Sequence, residues 1–260
     1  MSGSAASEPL LATRGLTKSF RNLVALRDHA ITVRKGEIVG VIGPNGSGKS
    51  TFFNLVSGFL RPDKGEVFFD GQSIAHRRAA DIVRLGIART FQGTRLFPAL
   101  TVEENVRAAA ELRHRTTMFD ALFGTGRRLR AEGDVETTTR ELLALVGLQE
   151  RRDRRACDLP YGDQRRLELV RALATRPRLL MLDEPAAGMD ASETRALLKL
   201  IDDIRRRYDL AVIVVEHDMD LIMNLCERIQ VLAHGSHIFE GTPAEVQAHP
   251  RVREVYLGHA

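Results

Sequence analysis

The stretch Gly43-Pro44-Asn45-Gly46-Ser47-Gly48-Lys49-Ser50-Thr51 follows directly on the apolar run Ile38-Val39-Gly40-Val41-Ile42, and this pairing constrains the fold more than any other feature of the chain. It reads as a strand, a glycine loop and the start of a helix. Gly43, Gly46 and Gly48 open backbone conformations closed to residues with side chains, so successive N–H groups can converge into a cradle for phosphate oxygens. The helix opening after Gly48 adds the positive end of its dipole to that cradle. Lys49 is then placed to reach the β- and γ-phosphates, and the Ser50 hydroxyl to complete the oxygen shell of a Mg²⁺ ion. The implied ligand is a nucleoside triphosphate. A glycine-rich turn with no ligand would need neither the strand before it nor the helix after it.

At 260 residues and 43% apolar content, the chain is long enough for one large α/β domain or two small ones around a sizeable core. Its longest apolar runs, such as Leu179 to Leu182 and Leu210 to Val215, fall far short of the roughly 20 residues that a bilayer span requires. Met1 to Pro9 has neither a basic start nor an apolar centre, so no secretory signal is expected and the reading is cytoplasmic. Cys157 and Cys226 lie outside any metal-ligand spacing and are expected as reduced thiols. The net charge of +4 is carried by scattered arginines: Arg77-Arg78, Arg127-Arg128, Arg151-Arg152, Arg154-Arg155, Arg165-Arg166 and Arg205 to Arg207. None of these runs has the length of a polybasic tail. They are expected on solvated helix faces, with a membrane-proximal contribution open and no nucleic acid as partner.

Residues 11 to 35 predict short strands at Leu11-Ala12-Thr13, Val24-Ala25-Leu26 and His29 to Val33, with Phe20 between the first two. A lone aromatic there is either core or a platform for a base. Helical periodicity covers Thr51 to Phe59, Glu66 to Gly71 reads as a strand and tight turn, and Ala79 to Leu85 as a short helix. Ile87 to Gln92 predicts a strand ending on Gln92, which is either an active-site group or an ordinary edge glutamine.

Residues 93 to 170 change character. Thr101 and Glu104 form a capping-box pattern for a helix running to about Arg113, and Val135 to Val146 repeats the helical pattern. Residues 114 to 133 hold Phe119, Leu122 and Phe123, then Gly124-Thr125-Gly126 and a basic run. A surface insertion and a short amphipathic contact with a membrane partner both fit them. The whole section predicts an all-helical subdomain inserted into an α/β core.

Helical periodicity resumes over Arg165 to Ala174. Arg178 to Pro185 is an apolar strand ending in two carboxylates, Asp183 and Glu184, and Ala211 to Val215 is a second one ending at Glu216-His217-Asp218. Asp190 caps the helix between them. Unbroken apolar strands separated by helices imply a mainly parallel sheet covered on both faces, with the ligand at the carboxyl ends of its strands. Gly43, Gln92, Asp183, Glu184 and His217 all fall at or just after such ends. Triphosphate hydrolysis needs charge neutralisation, a positioned metal and an oriented water. Asp183 suits the metal shell and Glu184 the general base, while His217 is placed to contact the γ-phosphate or hold the catalytic geometry.

Taken in order and spacing, Gly43 to Thr51, Gln92, Leu159-Pro160-Tyr161-Gly162-Asp163-Gln164-Arg165, Leu179 to Pro185, Ala187-Gly188-Met189-Asp190 and His217 resemble the nucleotide-binding subunits of ABC transporters. The resemblance spans residues 11 to 257. It implies one ABC ATPase domain over 9–257: a P-loop NTPase core in 9–92 and 171–240 with a mainly parallel sheet and an N-terminal antiparallel β subdomain, an inserted α-helical subdomain over 93–170, and a helical tail at 241–260. It further implies ATP and Mg²⁺ as cofactors, with Phe20 as the adenine platform, residues 43 to 51 as the phosphate loop, and Ser50, Gln92 and Asp183 around the metal. Gln92 would sense the γ-phosphate and the membrane partner, Glu184 would be the base, Asp190 would lie in the loop joining two active sites and His217 would be the switch histidine. Each ATP would sit between one chain's phosphate loop and the other's 159 to 165 segment in a head-to-tail dimer, homo- or heteromeric. The other implied partners are transmembrane permease subunits and, indirectly, a periplasmic binding protein, at the cytoplasmic face of the inner membrane.

Within that superfamily, Ala88-Arg89-Thr90-Phe91-Gln92, Arg95-Leu96-Phe97-Pro98, Leu100 to Val106, Asp183 to Met189, Glu216 to Met219 and Tyr256-Leu257-Gly258 look like the ATPases of branched-chain amino acid importers. The insertion at 114 to 133 resembles the longer of that system's two ATPase types. Similar ATPases serve urea and amide uptake and, more distantly, lipopolysaccharide export. The chain departs from the usual Ser-Gly-Gly-Gln by carrying Pro160-Tyr161-Gly162-Asp163. Pro160 offers neither hydroxyl nor N–H to a phosphate, so weakened trans contacts are expected, and the Asp163 carboxylate is expected to turn away. A soluble ABC-type ATPase acting on DNA or ribosomes would usually carry two cassettes or a coiled coil, and a small-molecule kinase would not need residues 159 to 165 or His217.

Overall fold

The computed structural model describes residues 8–113 and 126–257; Phe119, Leu122, Phe123 and the rest of 114–125 lie outside them. Residues 11–33 form an antiparallel pair, β1 (Leu11–Phe20) and β2 (Leu23–Val33), where three shorter strands were expected. The ladder stays continuous because β1 and β2 slip register between Thr13 and Leu16, between Leu16 and Lys18 and between Lys18 and Ser19, and such bulges absorb extra residues without ending a sheet. Asp28 takes a left-handed φ of 45° within β2. Phe20 is therefore the last residue of β1, at the hairpin turn, and does not lie between strands.

Next come β3 (Ile38–Ile42), α1 (Lys49–Val56) and β4 (Lys64–Phe69). Asp70 and Gly71 both have positive φ and make the two-residue turn into β5 (Gln72–Ser73). Then follow α2 (Ala79–Leu85) and β6 (Ile87–Arg89). The helical section comprises α3 (Val102–Glu111), α4 (Gly126–Leu145), single 3₁₀ turns at Gln149–Arg151 and Ala156–Asp158, and α5 (Tyr161–Ala174). Thr101 and Glu104 close the capping box at the start of α3. The chain continues through β7 (Leu179–Asp183), α6 (Ala191–Tyr208), β8 (Ala211–Val215) and α7 (Met219–Leu225). It ends with β9 (Arg228–Ala233), β10 (Ser236–Gly241), α8 (Pro243–Ala248) and α9 (Pro250–Leu257).

Two sheets result. One has the order β2-β1-β4-β5; the other has the order β10-β9-β3-β8-β7-β6, parallel throughout except for β10 against β9. Every residue of β3, β7 and β8 is buried, which is why these strands read as unbroken apolar runs. Alternate residues enter different cores. Val39, Val41, Leu179 and Met181 pack with Phe52, Phe53 and the small sheet, whereas Ile38, Ile42, Leu180 and Leu182 pack with Val106, Leu167 and Ile201 on the other face. Losing one such aromatic, as in Phe52→Ala, costs about 3 to 5 kcal/mol. The two covers hold β3, β7 and β8 in one register, so their carboxyl ends open along one line. Among the described residues no helix is long and apolar enough to cross a membrane.

Candidate functional site

Residues 43–48 form the turn between β3 and α1. A Cβ on Gly43 would meet the Leu232 carbonyl oxygen at 2.1 Å, and Gly48, at φ 107°, abuts the Ala25 carbonyl, so neither tolerates a side chain. The Lys49 ammonium lies folded into the loop, donating to the carbonyls of Gly43 at 2.7 Å and Pro44 at 3.0 Å. Burial pushes this ammonium below its ordinary pKa, against the opposing pull of Glu184 and Asp183. Ser47 Oγ is buried with no protein partner. A cation near two carboxylates and an orphaned hydroxyl in one loop are the features of a phosphate cradle.

The contact of Gly48 and Gly235 with Ala25 brings the β1–β2 hairpin beside this loop. Phe20 is 45% exposed there, so it is available as a stacking surface, and Lys18 Nζ stands 5.8 Å from its ring centre. At the other end of the chain, burial pushes the Tyr256 phenol up to about 12, partly offset by a hydrogen bond from the Gly43 backbone. The end of α9 therefore touches the 43–48 turn.

Asp183 ends β7 and Glu184 follows it with φ 47°, a left-handed conformation costly for a residue with a side chain. The Glu184 N–H donates to the Val215 carbonyl, which holds the strained residue against β8. Gln92 Nε2 donates to Glu184 Oε2 at 2.8 Å. His217 Nδ1 lies 3.8 Å from Glu184 Oε1 and 3.6 Å from Glu216 Oε2, with the ring two-thirds exposed. The structure thus brings Gln92, Glu184 and His217 together, with Asp183 beside them.

Gln92 itself is not at a strand end. β6 stops at Arg89, three residues short of the strand expected over 87–92. The chain leaves the sheet because Arg165 captures the Phe91 and Gln92 carbonyls at 3.1 and 2.8 Å. Arg165 corrects the reading of the arginine pairs as solvated: it is buried, paired with Glu168 at 3.1 Å, and Nε donates to Tyr161 Oη. Burial pushes the Glu168 carboxyl up, against the Phe91 N–H and Arg165. Downstream of Gln92, the buried Asn105 side chain accepts from the Phe97 N–H and donates to the Phe97 and Thr101 carbonyls.

The 159–165 segment forms the start of α5, four residues earlier than the predicted helix, because the fixed φ of Pro160 suits its N-cap position. Leu159 is buried and its carbonyl accepts from Gln164 Nε2. Tyr161 Oη donates to the Ala187 carbonyl at 2.8 Å, and Gly162 lies against Glu193. The Asp163 carboxylate is taken up by Arg151 and Arg166. Asp190 caps α6 by accepting from the Ser192 and Glu193 N–H groups.

Two groups escaped sequence reasoning. Arg89 donates through Nη2 to Asp183 Oδ2 at 2.7 Å, and both side chains are buried. Glu216, buried at the end of β8, accepts from the Ala186 and His217 N–H groups, and burial raises its pKa. A signal for Glu216 was present, since it directly precedes His217 at a strand end.

A family model described as ABC transporter matches residues 26–187, and another described as branched-chain amino acid ATP-binding cassette transporter matches residues 236–260. The high-affinity branched-chain amino acid transport ATP-binding protein LivG of Salmonella typhimurium is 40% identical over 254 residues, covering 98% of this chain and 100% of that protein. BraF of Pseudomonas aeruginosa, which carries the same description, is 40% identical with the same coverage. The lipopolysaccharide export system ATP-binding protein LptB of Acidithiobacillus ferridurans is 35% identical over 96% of this chain and 97% of its own. Among solved structures, the ADP conformation of an ATP-binding cassette of an ABC transporter superposes with a TM-score of 0.83 at 31% identity, covering 96% of this chain and 99% of that one.

Proposed function

The chain belongs to the ABC transporter ATP-binding family, and from that premise we propose that it hydrolyses ATP to energise uptake of branched-chain amino acids through a membrane permease. Two observations support this substrate over lipopolysaccharide: the match of residues 236–260 to the branched-chain amino acid model, and 40% identity to LivG against 35% to LptB.

The observation that carries the chemistry is the 2.8 Å bond between Gln92 and Glu184 beside the phosphate loop. The triphosphate lies in the 43–51 cradle, where Lys49 exchanges its loop carbonyls for phosphate oxygens and Ser47 Oγ gains a partner. Phe20 carries the adenine ring. Ser50, Gln92 and Asp183 offer only hard oxygen donors, the set that suits Mg²⁺, and they would hold that ion. A bound Mg²⁺ supplies neutralisation of charge on the phosphate oxygens. Glu184 accepts the proton of the attacking water, and His217, 3.8 Å away, steadies it at the γ-phosphate side.

The site is completed by the 159–165 segment of a second ATPase subunit, and Asp190 sits in the loop that links the two sites. Phe59, which meets Phe91 edge-on at 5.6 Å, and Phe97 are both about half exposed and form the place where permease helices dock at the cytoplasmic face of the membrane. Residues 93–170 move as the helical arm of the single 9–257 cassette when the dimer closes.

The test is ATPase activity of the transporter in lipid nanodiscs with its binding protein. Leucine-loaded binding protein should stimulate hydrolysis severalfold. Stimulation by a urea- or amide-loaded binding protein alone would assign the chain to a different uptake system.

A further inference from the structure

Arg89 ends β6 with its side chain 7% exposed, facing Asp183 on the neighbouring strand. One guanidinium reaches two neighbouring elements. Nη2 donates to Asp183 Oδ2 at 2.7 Å, while Nη1 donates to Asn54 Oδ1 at 2.7 Å and to Ser57 Oγ at 3.1 Å, on α1 and its C-cap. Its carbon stands 5.3 Å from the Phe53 ring centre and 4.9 Å from that of Phe91. Phe91 in turn meets the half-exposed Phe59 edge-on at 5.6 Å. Asp183 is also fixed through its backbone, whose N–H donates to Thr90 Oγ1.

A planar fork with fixed donors can bond two elements at once, which a lysine ammonium does far less well. Buried carboxylates are retained when paired, and pairing one oxygen restricts how the other can turn. We infer that Arg89 is a positioning residue: it pins Asp183 by one carboxylate oxygen, leaves the other for the Mg²⁺ shell, and ties that carboxylate to α1 and to Phe91. The inference rests on the reading of Asp183 as a metal-shell residue. It also means that displacement of Phe91 or Phe59 reaches the metal carboxylate through one side chain, without passing through Gln92.

The experiment measures Mn²⁺ affinity by electron paramagnetic resonance on the purified full chain saturated with a non-hydrolysable ATP analogue. Analogue affinity in EDTA serves as the fold and cradle control. Asp183→Asn should weaken Mn²⁺ binding; if it does not, the reading of Asp183 fails. Arg89→Met should weaken Mn²⁺ at least tenfold while analogue affinity in EDTA stays within twofold. Arg89→Lys should remain at least threefold weaker than wild type. Mn²⁺ affinity within twofold of wild type or tighter in Arg89→Met, alongside a weakened Asp183→Asn, overturns the inference and leaves the reading of Asp183 standing. Should Arg89→Met fail to fold, the double variant Asn54→Ala with Ser57→Ala removes both acceptors of Nη1 and keeps the salt bridge. At least threefold weaker Mn²⁺ binding then supports the inference, and unchanged binding overturns it.

Discussion

Gln92 and Glu184, 92 residues apart in sequence, are joined by a 2.8 Å hydrogen bond from Nε2 to Oε2. Glu184 pays for this place with a left-handed backbone, φ 47°, and the Val215 carbonyl holds it there. Strain of this kind persists where the surroundings over-determine it. If Glu184 is the base, Glu184→Gln keeps shape and removes basicity. Single-turnover hydrolysis should fall by about 10²- to 10⁴-fold with ATP affinity unchanged. A rate within tenfold of wild type would remove Glu184 from that role.

Arg165 and Glu168 are each about 3% exposed, so removing one leaves the other as an unpaired buried charge. Arg165→Met should cost about 3 to 5 kcal/mol in chemical denaturation. It should also free the Phe91 and Gln92 carbonyls and so raise hydrogen exchange across 90–95. A loss below about 1 kcal/mol, typical of an exposed ion pair, would place Arg165 on the surface instead.

His29 bonds Gln230 Oε1 through Nε2 at 2.6 Å and lies 4.8 Å from the Phe52 ring centre, linking the small sheet to β9. Burial lowers its pKa from 6.5 to about 4, partly offset by the Gln230 bond. The unfolded chain takes up this proton first as pH falls. The stability contribution is therefore complete above pH 6.5 and lost as pH drops from there toward 4, by about 1.4 kcal/mol per pH unit and about 3 kcal/mol in all. His29→Gln should flatten that part of the profile. Parallel profiles for the two proteins would contradict the assignment.

Pro160 is the N-cap of α5 and gives no side-chain hydrogen bond to it. A hydroxyl there could meet the phosphate held by the facing subunit. Pro160→Ser should raise ATP affinity or hydrolysis rate in the assembled transporter. No change in either would show that the weakened-contact account of this segment is wrong.

Much of this architecture was readable because it follows from local rules. The strands β3, β7 and β8 announce themselves as apolar runs, the turn between β3 and α1 by its glycines, and the caps at Thr101 and Asp190 by their partners at Glu104 and Glu193. What could not be read depends on pairing across the fold. Arg89 lies 94 residues from Asp183, and Arg165 more than 70 from the carbonyls it holds, so nothing local separates them from solvated arginines. The continuity of β1 and β2 through bulges was hidden for the same reason: a register shift depends on the partner strand.

The central claim is that Glu184 and its strand-end neighbours turn ATP hydrolysis into transport. The direct measurement is ATP-driven leucine uptake into proteoliposomes holding the permease and the ATPase dimer that contains this chain, with binding protein outside and ATP within. Wild type should accumulate leucine, and Glu184→Gln should bind ATP yet accumulate none. Equal uptake by the two proteins, or wild-type hydrolysis indifferent to leucine-loaded binding protein, would contradict it.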